Sequence, residues 1–336
     1  MDFVVVGVAT QQTALPVDGF PVEYEPRYYV PGAITVEVGG AGFSVACHAA
    51  RLGHRAFLVA PIGEDVAAST IDLAAERHGV NTSLCLRGLR RTPRSVVLTD
   101  PVGRRTVFTD LDEVTEADVD SLGLRAALVD ADVVVLGNLD LSRPLIPVVR
   151  EAGVSLAVDL QDVRDPSDPE LDDFLEADIL TMSNAYVAGH ERESLEMIAS
   201  RTRARIVMLT MGAAGLLIWR AQDGQARHVP APEVGPVTTT EGAGDVFLAS
   251  FLDAHLADGM DPVEAARRAA AETSVHLSAE QARPRHAQHG EYAEDLDPHV
   301  LARRMGRPWV TGGLRDAVAR RASAWSDPPG ESAGDN

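Results

Sequence analysis

Hydrophobic residues along the chain fall into short runs that alternate with longer amphipathic stretches. Runs typical of buried strands occur at 3–8, 56–60, 94–99, 132–137, 154–158, 178–181 and 205–210. Stretches with helical spacing occur at 43–52, 66–78, 142–152 and 193–202. Because neighbouring parallel strands need a long crossover connection, this alternation predicts an α/β fold. We expect a central, mostly parallel sheet flanked by helices on both faces.

Residues 11–38 interrupt the alternation. Three short β-type runs, at 22–24, 27–30 and 34–38, are separated by proline and glycine residues. Proline and glycine favour turns, so the segment predicts a small separate sheet. A surface hairpin is the alternative interpretation.

The segment 240–245, with the sequence Thr-Glu-Gly-Ala-Gly-Asp, directly precedes an apolar helical run at 246–252. Three residues with little or no side chain come before the aspartate: Gly242, Ala243 and Gly244. Their N–H groups can close on a phosphoryl group, helped by the positive end of the helix dipole. Asp245 could then accept the proton of an attacking hydroxyl. A flexible turn with an aspartate N-cap is the structural alternative.

A second glycine-containing turn lies between two apolar runs within residues 207–218. It has the spacing Thr-x-Gly-x-x-Gly, formed by Thr210, Gly212 and Gly215. The threonine hydroxyl can bind a phosphate or a ribose, and the glycines let a ligand approach the main chain closely. An ordinary hairpin explains the same pattern.

Three segments together resemble one family. The run 39–53, which begins Gly-Gly-Ala-Gly, the sequence Pro-Ile-Gly-Glu-Asp at 61–65 and the segment 240–245 are similar to the ribokinase-like (PfkB) family of ATP-dependent sugar and nucleoside kinases. The resemblance spans about residues 3–283. It implies a ribokinase-like fold with ATP and Mg²⁺ as cofactors, and Asp245 as the general base.

The resemblance also implies a domain organisation. Residues 1–283 form the kinase domain, and residues 11–38 form a β lid over the substrate. A homodimer paired through the lid is expected from the family alone. The composition changes after residue 283, so we expect a C-terminal extension with helical pieces at 284–326 and a disordered tail at 327–336.

On the acceptor side the resemblance implies contacts from Thr10, Gln12, Gly40, Ala41, Ser44 and Asp140. The family commonly carries Asp where Gln12 stands and often Asn where Thr10 stands. Ribokinases usually have Lys and Asn in place of Ala41 and Ser44. An amide still recognises hydroxyls, but the charge-assisted bonds of a carboxylate are lost. These departures argue against ribose as the acceptor.

Further departures concern the phosphates. The resemblance implies nucleotide contacts from Thr210, Gly212, Gly215, Asn184 and Glu241. Thr239 replaces a usual Asp, and the carboxylate of Glu241 stands where a small or neutral residue is commoner. In the family's Asn-x-x-Glu element, Asn184 is kept but Val187 replaces the Glu that helps organise magnesium, so we expect weaker or rearranged metal handling. Asp159 follows an apolar run where relatives have an Asp near the phosphates.

Composition narrows the classes of partner. The 336 residues carry 50 acidic against 30 basic side chains and a formal charge of −20. This disfavours nucleic acid and anionic membranes as partners. All the basic residues are Arg, which excludes Walker-type phosphate loops and catalytic lysines. We expect a cytoplasmic protein, because no basic leader or membrane-length apolar segment occurs.

These observations predict ATP-dependent phosphotransfer to an alcohol of a small molecule, most simply a sugar or sugar-like polyol. A nucleoside kinase is an alternative, since Tyr24, Tyr28 and Tyr29 could stack on a base. A catalytically silent nucleotide- or metabolite-binding regulator is another. A dinucleotide-dependent oxidoreductase is disfavoured, because Val45 stands where the third glycine of that fingerprint would lie.

Overall fold

The strands and helices follow the hydrophobic runs closely. The computed structural model describes residues 1–111, 114, 117, 119, 122–233 and 240–282. In chain order the strands are Asp2–Val6 (β1), Thr10–Pro16 (β2), Thr35–Gly39 (β3), Arg55–Val59 (β4), Pro61–Gly63 (β5), Val80–Asn81 (β6), Leu86–Leu89 (β7), Arg94–Thr99 (β8), Arg105–Asp110 (β9), Val133–Gly137 (β10), Ser155–Asp159 (β11), Ile179–Ser183 (β12), Ile206–Thr210 (β13), Leu216–Arg220 (β14) and Gln225–Val229 (β15). The helices are Ala41–Arg51 (α1), Val66–Arg77 (α2), Leu122–Asp130 (α3), Leu145–Ala152 (α4), Glu191–Arg201 (α5), Ala243–Leu252 (α6) and Pro262–Ala282 (α7).

A nine-stranded sheet forms the centre, in the order β15-β14-β13-β12-β11-β10-β1-β4-β6. Strands β13 to β6 in this order are parallel, and only the hairpin pairs of β13 with β14 and of β14 with β15 are antiparallel. The predicted mostly parallel sheet is therefore confirmed, as is the strand-turn-strand at 207–218.

Helices cover both faces of this sheet, as its residue pattern requires. Phe3 and Val5 of β1 pack into one core with α1, α2, α6 and α7. Val4 and Val6 pack into a second core with α3, α4 and α5. All four side chains are at most 2% exposed, so β1 buries every successive residue after Asp2. This is the pattern of a strand covered on both sides.

A separate four-stranded sheet, the lid sheet, has the order β3-β2-β8-β9. Two predictions about it were wrong. The run 94–99 belongs to the lid sheet as β8 rather than to the central sheet, and its alternating exposed and buried residues fit a sheet covered on one face. The runs 22–24 and 27–30 form no strand, since Pro21, Pro26 and Pro31 interrupt backbone pairing.

The long helix α7 was missed by the sequence patterns, because its alanine-rich stretch lacks a strong apolar period. The described residues belong to one compact unit of the chain, residues 1–288. The predicted extension at 284–326 and the tail at 327–336 lie outside the described residues, so both stay predictions. Across the described helices, none has the length and apolar character to cross a membrane.

Candidate active site

The carboxyl ends of the central parallel strands carry the predicted polar residues. Asp159 ends β11, Ser183 ends β12 and Thr210 ends β13. Because the strands are parallel and in register, these ends share one edge of the sheet. Ligands of open α/β sheets bind at this edge.

The N-terminus of α6 is formed by the predicted glycine segment. Gly242 is the N-cap and adopts a left-handed conformation with φ 69° and ψ 1°, which a glycine tolerates at little cost. The N–H of Ala243 donates to the carbonyl of Thr240 at 3.2 Å. The N–H groups of Gly244 and Asp245 lie in the first helical turn, where no intrahelical acceptor exists. The amides of Gly244 and Asp245 are thus better placed to bind an anion than that of Ala243.

Asp245 lies in the first turn of α6 and is half-buried. Desolvation raises its pKa well above the ordinary value, and the nearby charges of Asp159 and Glu241 raise it further. A hydrogen bond from the hydroxyl of Ser44 and the charge of Arg105 act in the opposite direction. A carboxylate with a raised pKa is a stronger base, which suits proton removal from an alcohol.

Asp159 is a second carboxylate near Asp245, and burial raises its pKa as well. Its Oδ1 accepts hydrogen bonds from the N–H of Gln161 and the hydroxyl of Thr181, both at 3.0 Å. Gln161 has a positive φ of 54°, which is uncommon for a residue with a side chain. Such a conformation is typical of functional sites.

The acceptor-side residues are brought together at the lid sheet. Gln12 is 5% exposed and its amide nitrogen donates to Glu241 at 2.6 Å and to Glu37 at 3.1 Å. The amide oxygen of Gln12 lies 3.3 Å from the hydroxyl of Ser95, which also contacts the Thr10 hydroxyl at 3.1 Å. Glu241, which we assigned to the nucleotide, therefore also contacts the acceptor side.

The remaining acceptor-side residues lie near the start of α1 and the end of β10. Gly40 is the N-cap of α1 and Ala41 its first residue. Asp140 lies in a short 3₁₀ helix after β10, and its carboxylate is largely exposed and bonded to Arg143 at 3.0 Å. Contacts therefore connect Ser44, Gln12 and Thr10 to the site. Asp140 instead contacts Arg143.

The predicted nucleotide turn follows β13. Residues 212–214 are exposed and form a 3₁₀ turn, and Gly215 is buried with φ 88° and ψ −132°. A Cβ on Gly215 would lie 2.1 Å from the carbonyl oxygen of Val229, so only glycine fits there. The Thr210 hydroxyl is 3.4 Å from the Met182 carbonyl. Residues 212–214 are exposed, and none of them has a side chain larger than a methyl group. The main chain of the turn therefore has room for a ligand.

Glu191 contacts the predicted site residue Asn184, and the sequence patterns missed it. The side-chain amide of Asn184 donates to Glu191 at 3.2 Å, and the Glu191 carboxylate also accepts the N–H of Gly189 at 3.0 Å. A hydrogen bond from its own backbone N–H, followed by these two bonds, lowers the pKa of Glu191. Val187, at the family's Glu position, is 6% exposed and packs in the core. A carboxylate beside Asn184 is therefore supplied from the start of α5 instead.

Comparisons with known proteins agree with this geometry. The sequence profile described as pfkB family carbohydrate kinase matches residues 2–286. The chain belongs to this family. It is therefore a small-molecule kinase, which agrees with the rejection of a dinucleotide-dependent oxidoreductase from the sequence.

Several PfkB relatives have named activities. Acarbose 7(IV)-phosphotransferase of an Actinoplanes species is 28% identical over 80% of this chain and 88% of its own length. The bifunctional protein HldE of Azorhizobium caulinodans is 30% identical over 66% of this chain, but this match spans only 49% of HldE.

Solved structures of PfkB proteins share the fold. The microbiome-derived acarbose kinase Mak1 superposes with a TM-score of 0.74 at 26% identity, over 82% of this chain and 92% of Mak1. The ribokinase of Giardia lamblia gives a TM-score of 0.69 at 19% identity, over 84% of this chain and 93% of its own. The predicted ribokinase-like fold is thus confirmed.

Proposed function

We propose that the protein transfers the terminal phosphoryl group of ATP to a hydroxyl group of a small carbohydrate or related polyol, with Asp245 as the general base. The observation that carries this proposal is the position of Asp245. It lies in the first turn of α6, next to N–H groups that have no intrahelical acceptor, and within hydrogen-bonding reach of Ser44.

In the reaction, the acceptor oxygen forms a bond to the γ-phosphorus while the bond from that phosphorus to the bridging oxygen breaks and ADP leaves. The proton of the acceptor hydroxyl moves to the carboxylate of Asp245. The N–H groups of Gly244 and Asp245 stabilise negative charge on the phosphoryl oxygens. Enclosure by the lid sheet would exclude water, which competes as a phosphoryl acceptor.

The residues at the site fit a magnesium nucleotide. The turn 212–214 offers an exposed main chain with small side chains. Within the described part of the chain, no group of three or more His, Cys, Asp or Glu side chains forms a metal site. Mg²⁺ usually takes its ligands from substrate phosphates, water and one or two carboxylates, so Asp159 and the Asn184–Glu191 pair would suffice. When bound, the metal ion would neutralise charge on the phosphates.

ADP release in the presence of ATP, Mg²⁺ and a panel of neutral sugars, polyols and nucleosides tests the proposal. We expect turnover with at least one sugar or polyol. Turnover with nucleosides alone would assign a nucleoside kinase. Ligand-induced thermal stabilisation without any ADP release would instead indicate a silent binding protein.

A homodimer is part of the same proposal. Val36, Val96 and Phe108 are aligned across the lid sheet and are 61%, 41% and 58% exposed. A second copy could cover this face. Light scattering should then give the mass of a dimer, and Val36→Glu should shift it toward the monomer. The cytoplasmic location stays a prediction.

A further inference from the structure

A polar row crosses the inner face of the lid sheet. In the strand register, Gln12 of β2 pairs with Glu37 of β3 and with Ser95 of β8, and Ser95 pairs with Thr109 of β9. Directly paired residues point to the same face of a sheet. Gln12 and Ser95 are each 5% exposed, so the centre of this row is buried, whereas Glu37 and Thr109 at its two ends are exposed. Glu241 reaches the row from the segment before α6.

The amide of Gln12 is committed to protein partners. A primary amide has two N–H donors, and here the nitrogen has two carboxylate acceptors, Glu241 at 2.6 Å and Glu37 at 3.1 Å. Because carboxylates only accept, they also fix which end of the amide faces them. The other end faces Ser95. Gln12 therefore positions two carboxylates rather than binding substrate hydroxyls itself.

Both carboxylates remain accessible. Glu37 and Glu241 are exposed side chains, although the nitrogen that holds them is buried. Each side chain is long and mobile by itself, and the shared anchor reduces the conformational entropy lost when a ligand binds. Two negative charges are thus concentrated at the acceptor end of the site.

We propose that Glu37 and Glu241, positioned by Gln12, determine acceptor specificity by accepting hydrogen bonds from the acceptor, and that they select an acceptor without phosphate or carboxylate groups. This inference rests on the proposed function and narrows its substrate class. Hydroxyl and ammonium groups donate to carboxylates, and these bonds are strong because the acceptor oxygen is charged. A phosphate on the acceptor would meet like charges at short range.

A cationic side chain, Arg105, also lies on the inner face of the lid sheet. Arg105 belongs to the same face of β9 as Thr109, and it pairs with Thr99 in the strand register, four residues along β8 from Ser95. Its charge acts on Asp245. The inner face of the lid sheet therefore carries a cation at Arg105 and the carboxylate of Glu37 beside Gln12, at different positions along the strands.

The test compares three acceptors: the neutral sugar or polyol turned over best, its phosphate monoester, and its amino derivative. We expect kcat/KM for the monoester to be at least about tenfold below that of the neutral compound, with the amino derivative at least equal to it. Glu241→Gln keeps the size and the bond to Gln12 but removes the charge. It should raise KM for the neutral acceptor about tenfold, leave kcat within about threefold and reduce the discrimination against the monoester.

Glu37→Gln should act in the same direction, and Glu196→Gln, an exposed glutamate on α5, serves as the matched control. Equal or better use of the monoester by the wild type, or unchanged ratios in both variants, would overturn the proposal. If no acceptor releases ADP, the proposed function fails. The thermal stabilisation of the wild-type protein by the same three compounds then still shows which acceptor charge it prefers. Strongest stabilisation by the phosphate monoester would contradict the proposed selection against phosphate.

Discussion

The N-terminus of α6 and the inner face of the lid sheet present different kinds of chemical group. At α6 the site consists of main-chain N–H groups, a left-handed glycine and one carboxylate, and the residues from Gly242 to Asp245 match the family. On the lid sheet, side chains line the site, and Gln12 replaces the usual Asp. Phosphoryl transfer needs the same geometry for every acceptor, whereas recognition must change with the acceptor. The departures at Thr10 and Gln12 on β2 fit this division, although Thr239 and Glu241 also depart from the family next to the start of α6.

Removing the general base at the start of α6 should have the largest effect on turnover. We expect Asp245→Asn to lower kcat by about 10²–10⁴-fold, because general-base catalysis contributes about this much, while ATP affinity changes little. Steady-state ADP release and nucleotide titration measure the two quantities. Asp72→Asn is the control. Asp72 lies on α2, and the change removes its ion pair with Arg87. Wild-type turnover by Asp245→Asn would remove Asp245 from its assigned role.

The nucleotide turn offers a sharper comparison, between two glycines of one motif. Gly215 has backbone angles open essentially only to glycine and no room for a Cβ, so Gly215→Ala should lower the free energy of unfolding by about 2–4 kcal/mol. At Gly212 the φ is 55° and a Cβ would meet no atom within 4 Å. Gly212→Ala should therefore cost only about 1 kcal/mol of left-handed strain. Urea denaturation of both variants checks the difference, and equal losses would contradict it.

The coupling between Asp159 and Asp245 should appear in the pH profile. Asp245 works as a base only when ionised, and desolvation together with the charge of Asp159 raises its pKa. The acid limb of kcat/KM should thus lie above the ordinary range of an Asp. Asp159→Asn removes a like charge, lowers the Asp245 pKa and should move this limb to lower pH. The exposed control Asp165→Asn should leave the acid limb unshifted. An unshifted acid limb in Asp159→Asn would exclude the coupling.

The smallest expected effect concerns Glu191. If Glu191 serves beside Asn184 in place of the family's Glu, Glu191→Gln should raise the Mg²⁺ concentration needed for half-maximal rate about three- to tenfold. The reason is that the metal and its water ligands lose a nearby negative charge. Thermal stabilisation by Mg-ATP should weaken in parallel, which gives a readout independent of turnover. An unchanged Mg²⁺ requirement with lowered stability would make Glu191 a residue that only orders the start of α5.

Local patterns predicted the parts of the molecule that local physics determines. Buried runs such as 132–137 became central strands, because residues covered on both faces must be apolar throughout. The glycine segment before Asp245 became a helix start, because small residues and a following apolar run leave few alternatives. The turn at 212–215 was predictable for the same reason.

Parts that depend on distant contacts could not be predicted. Glu241 was assigned to the nucleotide, yet it bonds to Gln12, which lies 229 positions away in the sequence. Glu191 reaches Asn184 through the turn at 185–190, at a spacing that no motif anticipates. The alternation within 94–99 was a usable signal for a one-sided sheet, but its apolar residues suggested a central strand.

The packing of α1 against α6 has a consequence for synthesis. His48 of α1 bonds to Ser250 of α6 at 3.0 Å, and Phe247 and Phe251 of α6 complete the core that covers β1. A nascent chain that has not yet released residue 252 from the ribosome therefore keeps that apolar surface open to water and chaperones. The helix that carries Asp245 and the core shared with the first strand are therefore completed in the same late step.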